Sequence, residues 1–374
     1  MKNKISYLYH FFLALVALMP LRQASAAEVY NKNGTKLDIY GWIQAQRYIT
    51  DNTSIKGDQS ILHLGIVGEI PYNDEVSAYG HYHARYSTNS AEEETNIFST
   101  SFSYAGVKFK NYGSLDYGRN WGVMYDLSMW TDVLPELGGD IYRKDNFLIQ
   151  RATGVLTYSN SGFFGLIDDL DIKLQYQGKN GGSDADVTSN SRNVLMQNGD
   201  GYGMSAIYHL GKDMSVGVAG FSSERTADQN GYGNSDILGR GKRAYGGSAG
   251  LKYDDGHLSL AAVYRQIYNG IPFGRSSNSL YGFADKAQQV ELVGQYQFDS
   301  GLRPLIAYAQ SRGDIENSTE ELDHYFDISL MFFFTKNADV FVEHKINLLK
   351  DNAFTNGAGI NTDDVTTLGF VYRF

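Results

Sequence analysis

The chain of 374 residues contains no Cys, five Pro and 41 Gly, and its aromatic fraction of 14% consists almost wholly of 28 Tyr and 20 Phe, against three Trp. Charged residues make up 20% and the formal net charge is −10. An acidic chain lacks the basic face that a nucleic-acid backbone requires, and the absence of Cys removes disulfide frameworks, thiolate metal sites and Cys nucleophiles together.

Residues 1–26 start with Lys2 and Lys4, continue with an apolar run from about Phe11 to Met19, and end in Ala24-Ser25-Ala26. This pattern predicts a secretory signal peptide cleaved before Ala27. An anchor helix is the poorer reading, because crossing a ~30 Å hydrocarbon core takes ~20 apolar residues. Cleavage removes three cations (Lys2, Lys4, Arg22) and no acid, so the charge moves from −10 to −13.

Beyond Ala27 no run reaches the length of an apolar membrane helix, and the mean hydropathy is −0.34. A helical membrane protein is therefore excluded, which leaves a soluble periplasmic chain or a closed barrel in the outer membrane. Alternation begins at once: Leu37, Ile39, Gly41 and Ile43 face away from Asp38, Tyr40, Trp42 and Gln44, and Leu62, Leu64 and Ile66 face away from His63 and Gly65. At the far end Leu368, Phe370, Tyr372 and Phe374 alternate with Thr367, Gly369, Val371 and Arg373. A soluble sandwich would alternate too, but with Val, Ile and Leu; here aromatics crowd the segment ends, as in the girdles of a membrane barrel.

About sixteen such segments follow in order, near 36–48, 59–70, 74–87, 97–110, 113–121, 146–159, 169–178, 200–210, 213–223, 243–254, 257–268, 286–299, 302–313, 322–334, 337–349 and 363–374. Tight turns such as Asn111-Tyr112, Gly211-Lys212 and Thr335-Lys336-Asn337 are set against long polar connections near 88–96, 122–145, 179–199, 224–242, 269–285 and 350–362. Short turns on one rim and long loops on the other predict an all-β, transmembrane antiparallel β-barrel, one domain over 27–374, too wide for side chains to fill.

Several stretches then resemble a known family. Ala27-Glu28-Val29-Tyr30-Asn31-Lys32, Leu115-Asp116-Tyr117-Gly118-Arg119-Asn120, Asp132-Val133-Leu134-Pro135-Glu136-Leu137-Gly138-Gly139-Asp140, Gly301-Leu302-Arg303-Pro304 and the terminal Phe374 look like the trimeric general diffusion porins of enteric Gram-negative bacteria. The resemblance implies a homotrimer in the bacterial outer membrane, amid lipid and lipopolysaccharide, whose inward-folded third loop narrows a channel for passive diffusion of small hydrophilic solutes and ions. No cofactor, metal or chemistry is expected.

In that family, carboxylates on the third loop face a basic ladder on the wall. The acids match as Asp132 and Glu136; of four usually basic wall positions only Arg151 remains so, with Trp42, His63 and Ser101 at the others. A waist so depleted of cations predicts cation preference. A turn centred near residue 73 would place His63 across from His83, with His81 and Arg85 on the same face. Three readings of this histidine patch stand side by side: a metal site, a wall that charges as pH falls and carboxylates raise the imidazole pKa, and inert polar lining. Trp42 either fills space or stacks on a sugar, with Tyr40, Trp121 and Tyr125 as its only candidate companions, so a solute-selective channel is the alternative function.

The resemblance also implies a latch in which Glu92, within Ser90-Ala91-Glu92-Glu93-Glu94, meets Arg119 of a neighbouring subunit; a solvated loop tip explains the Glu run equally. Phe374, with Tyr372 and Phe370 on its face, resembles the signal read by barrel-assembly machinery. A barrel enzyme would need a catalytic cluster, and beside the only local pair, Asp323-His324, the sequence places no nucleophile. A receptor barrel with a blocked lumen is the remaining alternative.

Overall fold

Where water fills one side of a sheet and lipid bathes the other, period-two alternation lets every segment join one ladder, and closing that ladder leaves no backbone edge to desolvate. The computed structural model describes residues 28–94, 97–139, 141, 145–182, 192–232 and 236–374. The expected signal peptide, and Asp140 of the third-loop motif, lie outside the described residues.

Sixteen strands form the barrel: β1 (Thr35–Ile49), β2 (Ile61–Pro71), β3 (Val76–Ser87), β4 (Phe98–Phe109), β5 (Gly113–Trp121), β6 (Arg151–Ser161), β7 (Leu170–Gln177), β8 (Gly201–Leu210), β9 (Met214–Glu224), β10 (Arg243–Asp254), β11 (Leu258–Tyr268), β12 (Lys286–Tyr296), β13 (Leu302–Ile315), β14 (Ser318–Thr335), β15 (Ala338–Asn347) and β16 (Val365–Arg373). Each pairs antiparallel with its sequence neighbours, and β16 returns to β1, with Trp42 opposite Arg373. At this seam Gly41 N–H donates to Phe374 O (3.1 Å) and Phe374 N–H to Gly41 O (3.0 Å). The Phe374 ring covers Gly41, where a Cβ would stand 2.8 Å from the ring and 2.2 Å from His63 O. The predicted faces are realised in β16: Phe370 and Tyr372 point outward, while Thr367 and Val371 are buried.

Two boundaries differ from the sequence reading by four residues or more. The segment expected at 146–159 starts at Arg151, because Phe147, Leu148 and Ile149 join Val123 and Leu127 in the buried cluster of the third loop instead of the ladder. The segment expected at 322–334 extends over 318–335, because β13 and β14 join through two residues, Glu316 (φ 52°) and Asn317, on the rim where long loops were expected.

The third connection, residues 122–150, turns into the lumen. It begins with one helical turn, α1 (Tyr125–Ser128), and lies against the inner wall of β7–β15. Its seat is made of glycines: a Cβ on Gly203 would stand 2.5 Å from Val123, and one on Gly217 or Gly250 would stand 2.9 Å from the Trp130 ring. Gly217 and Gly250 are cross-strand partners, so together they form a flat recess in the wall.

Candidate functional site

The loop is stapled to the wall along its length. Gln175 bridges Val123 N (2.7 Å) and Trp121 O (2.7 Å), Lys173 and Ser205 hold Asp126, and Thr131 donates to Glu291 (3.0 Å), which is also ion-paired with the buried Arg265. At the tip, the fully buried carboxylate of Glu343 on β15 accepts from Glu136 N (2.9 Å) and Leu137 N (3.0 Å). Asp132 accepts from Tyr125 Oη at 2.5 Å. Glu136 accepts from Gln44 Nε2 (2.8 Å) and Tyr48 Oη (2.5 Å), both on β1. Burial pushes the Glu136 carboxyl above its ordinary pKa and outweighs the opposing effect of these hydrogen bonds and of Arg85.

Facing the loop, β1–β6 present a wall of rings. Trp42 stacks on His63 (centroids 4.0 Å apart) and lies 5.5 Å from His83; Tyr40 stacks on His83 (5.9 Å), and His81 stacks on Phe102 (5.3 Å). Tyr40 Oη and Tyr104 Oη hydrogen-bond the two nitrogens of His81, at 2.5 and 3.0 Å. Trp121 and Tyr125 stack on each other at 3.6 Å, and the Arg151 guanidinium lies 5.3 Å from the Trp121 ring centroid. These two rings therefore pack mutually at the root of the loop.

Three expectations need correction. His63 lies opposite Arg85, not His83; His83 faces Gly65 and His81 faces Val67, because the turn after Pro71 is longer than assumed and Asn73 caps it through Val76 N. The slip is two residues, so the imidazoles keep a common face and His63 and His83 still meet, at 5.3 Å. Ser101 does not sit in simple alternation. It is the extra residue of a bulge between Thr100 and Phe102, its side chain is buried, and Phe102 takes the place on the inner face. The carboxylate neighbours expected for the histidines are absent: among the described residues no acid contacts His63, His81 or His83, and no three His, Asp or Glu side chains are arranged to hold a metal ion.

Arg119 is engaged within its own chain. It pairs with Asp145 and donates to Thr100 O (2.8 Å) and Thr153 Oγ1 (3.0 Å), whereas Glu92 is exposed on its loop.

Residues 32–374 match the family model described as Gram-negative porin. The chain belongs to the Gram-negative porin family. This porin is 48% identical to outer membrane porin C of Salmonella typhimurium over 97% of its length and 98% of that protein's. It is 43% identical to outer membrane porin N of Escherichia coli over the full length of both. Among solved structures, OmpF of Salmonella typhi in complex with daunomycin superposes with a TM-score of 0.83 at 36% identity, covering 93% of this chain and 100% of that one. The porin is accordingly a channel of the bacterial outer membrane for passive diffusion of small hydrophilic solutes, and not an enzyme.

The third-loop acids Asp132 and Glu136 were legible as single residues, but not their partners. Gln44 and Tyr48 reach Glu136 from 92 and 88 positions away, and Glu343 from 207. Phe102 was hidden by the bulge. Tyr104, two positions on, was hidden with it, because parity counted from Ser101 turns both to the opposite face.

Proposed function

We propose that this porin passes small solutes with a preference for cations, through a waist at which Asp132 and Glu136 supply negative charge and the facing wall offers Arg85 and Arg151 among rings. The observation that carries this reading is the pair of neutral partners on Glu136: Tyr48 and Gln44 hold it by hydrogen bonds and do not cancel its charge. Reversal potentials in a KCl gradient across a planar bilayer test it. A potential on the cation side is expected at neutral pH, and a potential on the anion side refutes it. The working unit is a homotrimer set in lipid and lipopolysaccharide, in which Glu92 of one subunit docks beside Arg119 of the next, and Phe370, Tyr372 and Phe374 are read by the assembly machinery. Supporting the latch, the Arg119 guanidinium is partly exposed and Glu92 is exposed on its loop.

A second reading, selection for flat solutes, is favoured by the ring wall from Tyr40 to Trp121. Liposome swelling with sugars and with aromatic solutes of equal size separates it from the first: equal rates remove it.

A further inference from the structure

Beyond the waist, toward the rim of short turns, the lumen opens into a cavity of about 600 Å³ beneath the tip of the third loop. The ceiling is Val133, Leu134 and Pro135, and the rings of Tyr40, Trp42 and Phe333 line the sides. Arg303, Lys336 and Arg373 also line it, with Asp339 as the one acid. Asp339 is ion-paired with Arg373, and its side chain is 1% exposed, so it offsets one cation and leaves two in excess. The Arg303 guanidinium lies 4.5 Å from the Phe333 ring centroid and its Nε donates to Gln297 (2.7 Å), which fixes the fork at one end of the ring-lined space. Lys336 has no ion-pair partner among the described residues.

A cavity whose cations stand beside ring faces suits a particular chemistry. Flat apolar groups gain contact on rings, and a carboxylate gains charge-assisted bonds that a hydrated inorganic anion obtains equally well from water. We propose that this niche is a transient binding station for small aromatic carboxylates crossing the channel, with Arg303 and Lys336 holding the carboxylate and Trp42 and Phe333 the ring. The proposal rests on the reading of the protein as an open channel and adds a solute class to it.

The test is partial block of KCl current through the full-length protein in a planar bilayer, titrated with phenylacetate, its neutral amide phenylacetamide, and acetate. Phenylacetate is expected to reduce the current saturably, the other two not, and more effectively from the short-turn side. In Arg303→Gln/Lys336→Gln the half-blocking concentration is expected to rise about tenfold, the loss of a charge-assisted contact. Trp42→Ala is expected to raise it several-fold. Equal action of the three solutes on the unaltered protein overturns the proposal without any variant, as does block untouched by the double substitution. Large KCl conductance in every channel keeps failure of this proposal distinct from failure of the channel reading.

Discussion

The third loop can approach the wall only because Gly217 and Gly250 carry no side chain, so refilling that recess should push the loop into the channel. A Cβ at Gly250 would stand 2.9 and 3.1 Å from two carbons of the Trp130 ring. Ordinary carbon contact is ~3.7 Å, so alanine asks the ring to retreat by about 0.8 Å. Leucine extends roughly 2.5 Å beyond its Cβ and asks for about 3 Å. Behind the recess is the barrel wall, and the loop is pinned on either side at Asp126 and by Glu343, so Trp130 can yield only toward the lumen. Overpacking of this kind costs about 1–3 kcal/mol, less than the sum of the loop's anchors, so the loop bends and does not leave. Single-channel conductance in 1 M KCl should therefore fall in the order Gly, Ala, Leu at position 250, and the thermal midpoint in detergent should fall with it. A Gly250→Leu channel with unaltered conductance and an unaltered midpoint refutes the reasoning.

Glu343→Ala leaves the backbone N–H groups of Glu136 and Leu137 without their buried acceptor, at about 1–3 kcal/mol each; open-channel noise should rise and voltage closure should begin at lower voltage, and unchanged noise would count against the anchor. Because burial holds the Glu136 carboxyl above its ordinary range, its charge is lost, as pH falls, sooner than from an exposed glutamate; cation preference in KCl gradients should weaken above the usual carboxylate range, and Glu136→Gln should remove this part of the response. Arg119→Gln breaks contacts to Asp145, Thr100 and Thr153 and should lower the temperature of trimer dissociation, by an amount equivalent to about 1–3 kcal/mol, while Glu92→Gln should lower it less and non-additively. Deleting Phe374 opens the Gly41 seam and should reduce the yield of folded, heat-modifiable protein; full yield would show that the seam closes without it.

Alternation was legible because each strand has lipid on one face and water on the other, a constraint that acts residue by residue. For that reason 113–121 and 243–254 coincide with β5 and β10. Failures occurred where a third environment intervened. Phe147, Leu148 and Ile149 are apolar for the sake of a loop, not of lipid, and a period-two reading cannot tell the two apart. Cross-strand register depends on turn length, so one misjudged turn moved His63 from Arg85 to His83 while preserving its face. A bulge adds a residue without any compositional mark, and Ser101 was assigned a place that belongs to Phe102. Arg303, Lys336 and Arg373 were legible singly, in a family-like stretch, a tight turn and the last strand, but not as a group; their convergence beneath one loop is a property of closure alone.

Taken with the ring wall, that convergence bears on how the channel discriminates. A unit charge acting over ~8 Å at an effective dielectric of ~20 is worth roughly 2 kcal/mol, so a wall that presents the rings of Trp42, His63 and Phe102 exerts a weaker field on small ions than a wall of cations would. Rings leave ions nearly indifferent but attract polarisable faces, and dispersion acts only at contact, which a narrow waist enforces. Further basic side chains gather at Arg303, Lys336 and Arg373, in the cavity that Val133, Leu134 and Pro135 also line. There a cation sorts inorganic ions poorly, yet it can still hold a solute whose other end is already desolvated against a ring. Setting guanidiniums beside rings along the path thus shifts discrimination from charge alone toward charge combined with flatness.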